Sequence, residues 1–236
     1  MSIWGKLSGA VTGFLAGGPV GAAIEAVTGH PLFDRDARAD EPGVAFTIAI
    51  IALGAKMAKA DGVVTPDEEE AFARVFRVPP ADAANVKRIF NLARADTAGY
   101  EAYAGQIARM FRGNPAVLED ILDGLFEIAK ADGVFHPGEQ AFLERVAEIF
   151  GFAPNEYRRI RASHFRDAGD PYVILGVAYD AGETEIRSSY RRLVRENHPD
   201  SLIGRGVPPE FVKLANDKLA AINAAYEKIR KERDFK

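Results

Sequence analysis

Apolar residues recur three and four positions apart along most of the chain, the spacing that gathers them on one face of an α-helix. The windows that show it are 44–60, 66–76, 81–94, 99–111, 115–131, 138–150 and 154–163, and Pro and Gly punctuate most of the gaps between them. None shows the sustained period-two alternation of a half-buried strand. The pattern predicts an all-helical bundle with Phe72, Phe76, Phe90, Phe111, Phe126, Phe142 and Phe150 as core filling.

Past this bundle the pattern continues in a smaller helical unit. The stretch from Asp170 to Val177 reads as a short apolar helix, with Asp170 as N-cap and Pro171 at the first helical position. Two amphipathic runs follow, 183–196 and 209–231, an antiparallel pair joined by a loop. The core face of the first is Ile186, Tyr190 and Leu193; that of the second is Phe211, Ala215, Leu219, Ile222, Tyr226 and Ile229. Between them stands Asn197-His198-Pro199-Asp200. Proline disfavours helical geometry in the residue before it, which predicts that the first helix ends at His198 and leaves an exposed, charged tip. Arg187, Arg191 and Arg195 recur every four residues on one helix face, with Arg192 beside them. Such a stripe suits an acidic partner surface, speeding encounter and fixing register. Asp200 suits pairing with a partner arginine, because a carboxylate accepts two parallel bonds from a guanidinium.

The bundle contains an internal repeat. Ala58-Lys59-Ala60-Asp61-Gly62-Val63 returns 71 positions later as Ala129-Lys130-Ala131-Asp132-Gly133-Val134, and the match extends through Pro66/Pro137, Glu68/Glu139, Arg74/Arg145 and Val75/Val146. Each copy reads as helix, Asp-Gly turn, helix. One reading makes Asp61, Glu68, Asp132 and Glu139 a divalent-cation site completed by carbonyls and water. The simpler reading is structural: Gly62 and Gly133 close a helix in the left-handed region, while Glu68 and Glu139 serve capping boxes behind Thr65 and His136.

Residues 1–30 are glycine-rich and apolar. From Leu7 to Ile24 there is no charge, and Gly5, Gly9, Gly13, Gly17 and Gly21 fall on one helical ridge, which suits close helix approach in a membrane and dimerisation. The run is 18 residues long with Pro19 inside it and Glu25 after it, close to the minimum length needed to span. A membrane-associated segment and a soluble, flexible one both fit this run. Residues 31–42 carry Asp34, Arg35, Asp36, Arg38, Asp40 and Glu41 and read as a charged linker.

Composition narrows the function classes. A net charge of -4 and a pI near 5.7 provide no general attraction to nucleic acid. The absence of cysteine excludes disulfides and cysteine zinc modules. His198, Asp200 and Ser201 lie too close together in sequence to form a nucleophile, base and orienting carboxylate, so no hydrolase is expected.

The ordered set Asp-Pro-Tyr-x-x-Leu-Gly-Val at 170–177, Tyr190-Arg191-Arg192-Leu193, His198-Pro199-Asp200 and Ile222-Asn223-x-Ala225-Tyr226 resembles the J domain of DnaJ-type co-chaperones. The resemblance implies a docking module: His198, Pro199 and Asp200, with the arginine face of the preceding helix, engage a DnaK-type chaperone and stimulate its ATP hydrolysis. Trp4-Gly5-Lys6 and the glycine-rich run ending at Gly29-His30 resemble the N-terminus of membrane-anchored DnaJ-like A proteins of bacteria, and the duplicated bundle resembles the tellurite-resistance TerB-like domain. The chain is therefore expected to be an all-α co-chaperone and not an enzyme. Its expected parts are an N-terminal segment at 1–30, a linker at 31–42, a TerB-like bundle at 43–165 and a J domain at 169–236. Its expected place is the cytoplasmic face of the inner membrane, or the cytoplasm if the first segment does not insert. The rival expectation is a scaffold that senses a divalent metal or stress through the TerB-like bundle.

Overall fold

The computed structural model describes residues 3, 41–60, 72–73, 75–76, 78–95, 99–131, 133–165 and 169–235. Helix α1 (Glu41–Ala60) is apolar on all sides, the mark of a helix at the centre of a bundle, and Phe46 and Ile48 to Met57 lie in the interior. Packed around it are α2 (Ala83–Ala95), α3 (Tyr100–Met110), α4 (Pro115–Ala129), α5 (Pro137–Phe150) and α6 (Pro154–His164). Proline opens α4, α5 and α6 at the one turn where a missing N–H costs nothing. Helices α1 and α4 meet at two glycines: a Cβ on Gly124 would lie 2.8 Å from Ile50 Cδ1, and one on Gly54 would lie 2.9 Å from Ile128 Cδ1. The glycines thus let the two helices come close without displacing the isoleucines.

Of the expected core phenylalanines, Phe72, Phe76, Phe90, Phe126, Phe142 and Phe150 are buried, and Phe111 is partly covered against the same core. No strand occurs among the described residues.

The C-terminal unit consists of α7 (Pro171–Leu175), α8 (Glu183–Glu196), α9 (Pro199–Gly204), a 3-10 turn at Pro209–Phe211, and α10 (Val212–Glu232). Asp170 caps α7, accepting the Tyr172 N–H at 2.9 Å, and Gly176 closes it at φ +64. Ile174, Leu175, Ile186, Leu193, Ile222, Ala225 and Ile229 form the core of this unit, and Tyr190 stacks on Tyr226 with centroids 4.0 Å apart. Arg233 closes the end of the unit by donating to Tyr172 Oη at 2.8 Å and to the carbonyl of Ala181 at 2.6 Å.

The two parts do not divide the core as periodicity suggests. Phe211 and Ala215, expected in the core of the C-terminal unit, join the bundle core together with Leu202, Val207 and Leu214. Phe211 meets Phe46 edge-on at 5.1 Å and Phe76 at 4.9 Å. The first half of α10 thus belongs to the bundle and the second half to the smaller unit.

Between the two cores lies a buried charge cluster. Helix α4 presents Glu119, Asp120, Asp123 and Glu127. Glu119 accepts from Arg159 of α6 at 2.6 Å and from Lys218 of α10. Asp120 takes both oxygens to Arg205, at 2.9 and 3.2 Å. Asp123 bonds Lys218 at 2.7 Å and His164 at 2.8 Å, and Glu127 bonds the other ring nitrogen of His164 at 3.0 Å. His164 also stacks on Phe126, with centroids 4.9 Å apart.

Burial dominates the electrostatics here, and each partner then answers it. Burial alone raises the Glu119 and Glu127 carboxyls. Lys218 and Arg159 more than offset this at Glu119, holding it well below the ordinary carboxylate range, and hydrogen bonds from His164 and Lys130 hold Glu127 near about 2. Burial pushes Asp120 up to about 7 in spite of Arg205. For His164, burial opposes the charged ring, but the bonds to Asp123 and Glu127 prevail and raise its pKa above 6.5. The signs follow from linkage. Glu119 and Glu127 contribute stability that is present above their unfolded values near 4.5 and lost as pH falls. Asp120 removes stability as pH rises from 3.8 towards about 7. The contribution of His164 is complete below 6.5 and fades as pH rises through its higher folded value.

Two outcomes are expected. Phe211→Ala costs about 3 kcal/mol and, in urea unfolding followed by circular dichroism, lowers one transition common to both parts; two transitions of which only one shifts contradict the shared core. His164→Gln costs about 2 kcal/mol at about pH 6 and clearly less at about pH 9; an equal cost at both values removes the charged-histidine assignment.

Candidate docking site

Helix α8 ends at Glu196, two residues before the boundary that proline alone predicts. Asn197 is its C-cap: its backbone N–H makes the last helical bond, to the Leu193 carbonyl at 3.0 Å, its side-chain Nδ2 donates to the same carbonyl at 2.8 Å, and the residue is buried. Pro199 does not lie in an open tip. It opens α9, where its fixed φ suits the first helical position. His198 is the N-cap of that helix, and its Nδ1 accepts the Asp200 N–H at 3.2 Å. Used as an acceptor, Nδ1 leaves the neutral ring's proton on Nε2, which is free to donate outward.

The His-Pro-Asp turn is thus a helix start whose cap is the histidine. Its side chains face solvent, His198 at 51% and Asp200 at 89% relative exposure. Behind the turn, the last carbonyls of α8 are taken up by side chains: Ser201 Oγ donates to Arg195 O at 2.8 Å and Arg205 Nη1 to Glu196 O at 2.7 Å. In the sequence Asn197 stands out only as the start of the motif and Ser201 only in the rejected hydrolase set, and Arg205 not at all. Their roles are backbone bonds across a turn, which leave no periodic trace.

The four arginines of α8 fall into two pairs. Arg187 is tied to Glu183 at 2.5 Å and Arg192 to Glu196 at 2.8 Å, each across one helical turn. Arg191 and Arg195 are exposed and have no carboxylate partner among the described residues. These two line a surface depression of about 310 Å³ with Tyr190, Val194, His198 and Ser201. The structure thus brings His198 together with Arg191 and Arg195, leaving their charge available to an acidic surface, while intrahelical pairs neutralise Arg187 and Arg192.

Of the residues considered for a cation, only Glu139 is among the described ones; Asp61, Glu68 and Asp132 lie outside them. Glu139 accepts the His136 N–H at 2.9 Å, the backward half of a capping box, and Gly133 has φ +84. No group of three or more His, Asp or Glu side chains among the described residues is arranged to hold a metal ion.

Comparison with known proteins agrees with this architecture. A family model for the co-chaperone DjlA transmembrane domain matches residues 1–55, one for the tellurite resistance protein TerB matches 47–162, and one for the DnaJ domain matches 170–234. Among curated relatives, the co-chaperone protein DjlA of Coxiella burnetii is 31% identical, with 98% of each chain covered. That of Vibrio cholerae is 30% identical over 100% of both chains, and that of Photobacterium profundum is 28% identical over 99% of this chain and 100% of its own. No solved structure matches the chain. With all three regions in order and relatives aligned from end to end, the chain belongs to the DjlA family of J-domain co-chaperones.

Proposed function

We propose that the chain docks on a DnaK-type chaperone through His198, Pro199, Asp200 and the free arginines of α8, and thereby stimulates ATP hydrolysis by that partner. One observation carries the proposal. The polar side of α8 and the start of α9 remain open on a single face, whereas the opposite sides, through Ile186, Leu193 and Leu202, are buried in the two cores. A small, rigid surface with two unpaired cations, an exposed carboxylate and a histidine N–H suits recognition of an acidic surface that also carries an arginine. Such docking acts allosterically if it favours the partner's hydrolysis-competent state over its resting state.

The N-terminal segment would hold this surface at the cytoplasmic side of the inner membrane, where a DnaK-type partner is found. The match of residues 1–55 to the DjlA transmembrane domain supports that placement. Among the described residues no helix is long and apolar enough to cross a membrane; the proposed anchor is the glycine-rich segment 1–30. The glycine ridge from Gly5 to Gly21 offers a dimerisation face within that anchor.

The test is single-turnover ATP hydrolysis by the DnaK-type chaperone with the full chain, comparing wild type with His198→Gln and Asp200→Asn. Wild type accelerates hydrolysis, and each variant, still folded by circular dichroism, returns the rate to within about two-fold of the unstimulated value, as loss of a charge-assisted contact in a small docking site implies. Variants that stimulate as well as wild type overturn the assignment of the turn.

A further inference from the structure

Arg205 stands in two places at once. Its Nη2 grips both oxygens of Asp120 in the TerB-type domain, and its Nη1 donates to the carbonyl of Glu196, the last residue of α8. Two residues beyond that carbonyl is His198. A single planar guanidinium therefore fastens the end of the docking helix to the neighbouring domain. The surroundings leave it little freedom: Asp120 is 4% exposed, and Asn197, Leu202 and Lys218 around it are buried. Between these groups lies a void of about 10 Å³, the room of one water molecule.

As a source of stability this pair is a poor choice. Taking both charges out of water is costly, and the raised Asp120 carboxyl shows that Arg205 does not fully compensate for burial. A pair of apolar side chains could pack the same junction at less cost. What a forked guanidinium provides instead is geometry, because its two arms fix the distance and angle between the groups they bind.

We propose that Arg205 is a positioning residue for stimulation of the DnaK-type partner: Asp120 sets the pose of the His-Pro-Asp turn through Arg205 and the Glu196 carbonyl. The TerB-type domain is on this view part of the docking device and not a spacer. The inference rests on the docking reading above and adds to it a contribution from outside the J domain. With the link cut, the turn samples poses that do not dock, and apparent affinity falls in proportion to the competent fraction.

The experiment uses the full chain titrated against the DnaK-type chaperone in single-turnover hydrolysis, with amide hydrogen exchange on the chain alone. Arg205→Gln and Asp120→Asn each raise the half-saturating concentration about five-fold while the maximal rate is kept, and the double variant is no worse than either single one. Arg205→Lys, which keeps the charge but cannot span both partners, behaves like Arg205→Gln. In all of them the amides of Asn197, Ser201 and Leu202, bonded in wild type to Leu193 O and His198 O, exchange faster. Rescue by lysine, or variants that leave both half-saturation and exchange unchanged, overturns the positioning role and leaves the docking reading intact. A folded wild type that fails to stimulate overturns both.

Discussion

Helix α10 has to satisfy two hydrophobic cores with one continuous backbone. Its first turns place Leu214 and Ala215 in the TerB-type bundle, following Phe211, and its last turns place Ile222, Ala225 and Ile229 in the J-domain core. The side chain at the crossing point, Lys218, is buried with its ammonium between Glu119 and Asp123. Burial disfavours its charge, but Asp123 and Glu119 reverse the balance and raise its pKa. A lysine there cannot be left unpaired, so the two domains are held in one register: a slip of α10 along the bundle would strand a buried charge.

The remaining architecture follows from that constraint. With α10 held against α4 and α6, α8 lies on the outer side of the J domain, and its open face carries Arg191, Arg195 and the His-Pro-Asp turn. The turn is rigid on its inner side, through Asn197, Ser201 and Leu202, and bare on its outer side. If this surface docks as proposed, its backbone would lose little conformational entropy on binding, because the inner bonds of the turn are already made.

Much of this was legible in the sequence, and the reasons differ by element. Helix limits near Pro115, Pro137 and Pro154 follow from local chemistry, as does the Asp170 cap; in each case the stabilising group lies within a few residues of what it stabilises. The J domain was legible as an ordered set of motifs. The end of α8 was not: His198 is extended, as proline requires of the residue before it, but the helix already stops at Glu196, where Asn197 caps it with a side-chain bond to a carbonyl four residues back. Nor was the allocation of Phe211 and Ala215 to the bundle, since periodicity tells which face is apolar and not which core receives it. The acidic side chains of α4 interrupt an apolar window, and His164 sits in a stretch that reads as a domain boundary. Apart from Lys130, three residues after Glu127, their side-chain partners lie 37 to 99 residues away, beyond the reach of any local pattern.

The central claim is that one face, and not the chain at large, meets the partner. The most direct test places a photoreactive side chain at Val194, inside the depression bordered by Arg191, Arg195 and His198, or at the exposed Glu144 on α5, and irradiates the full chain with ATP-loaded DnaK-type chaperone. The account predicts a crosslink from position 194 that Asp200→Asn removes, and none from position 144. A crosslink from 144 alone, or one from 194 that is indifferent to Asp200→Asn, would contradict it.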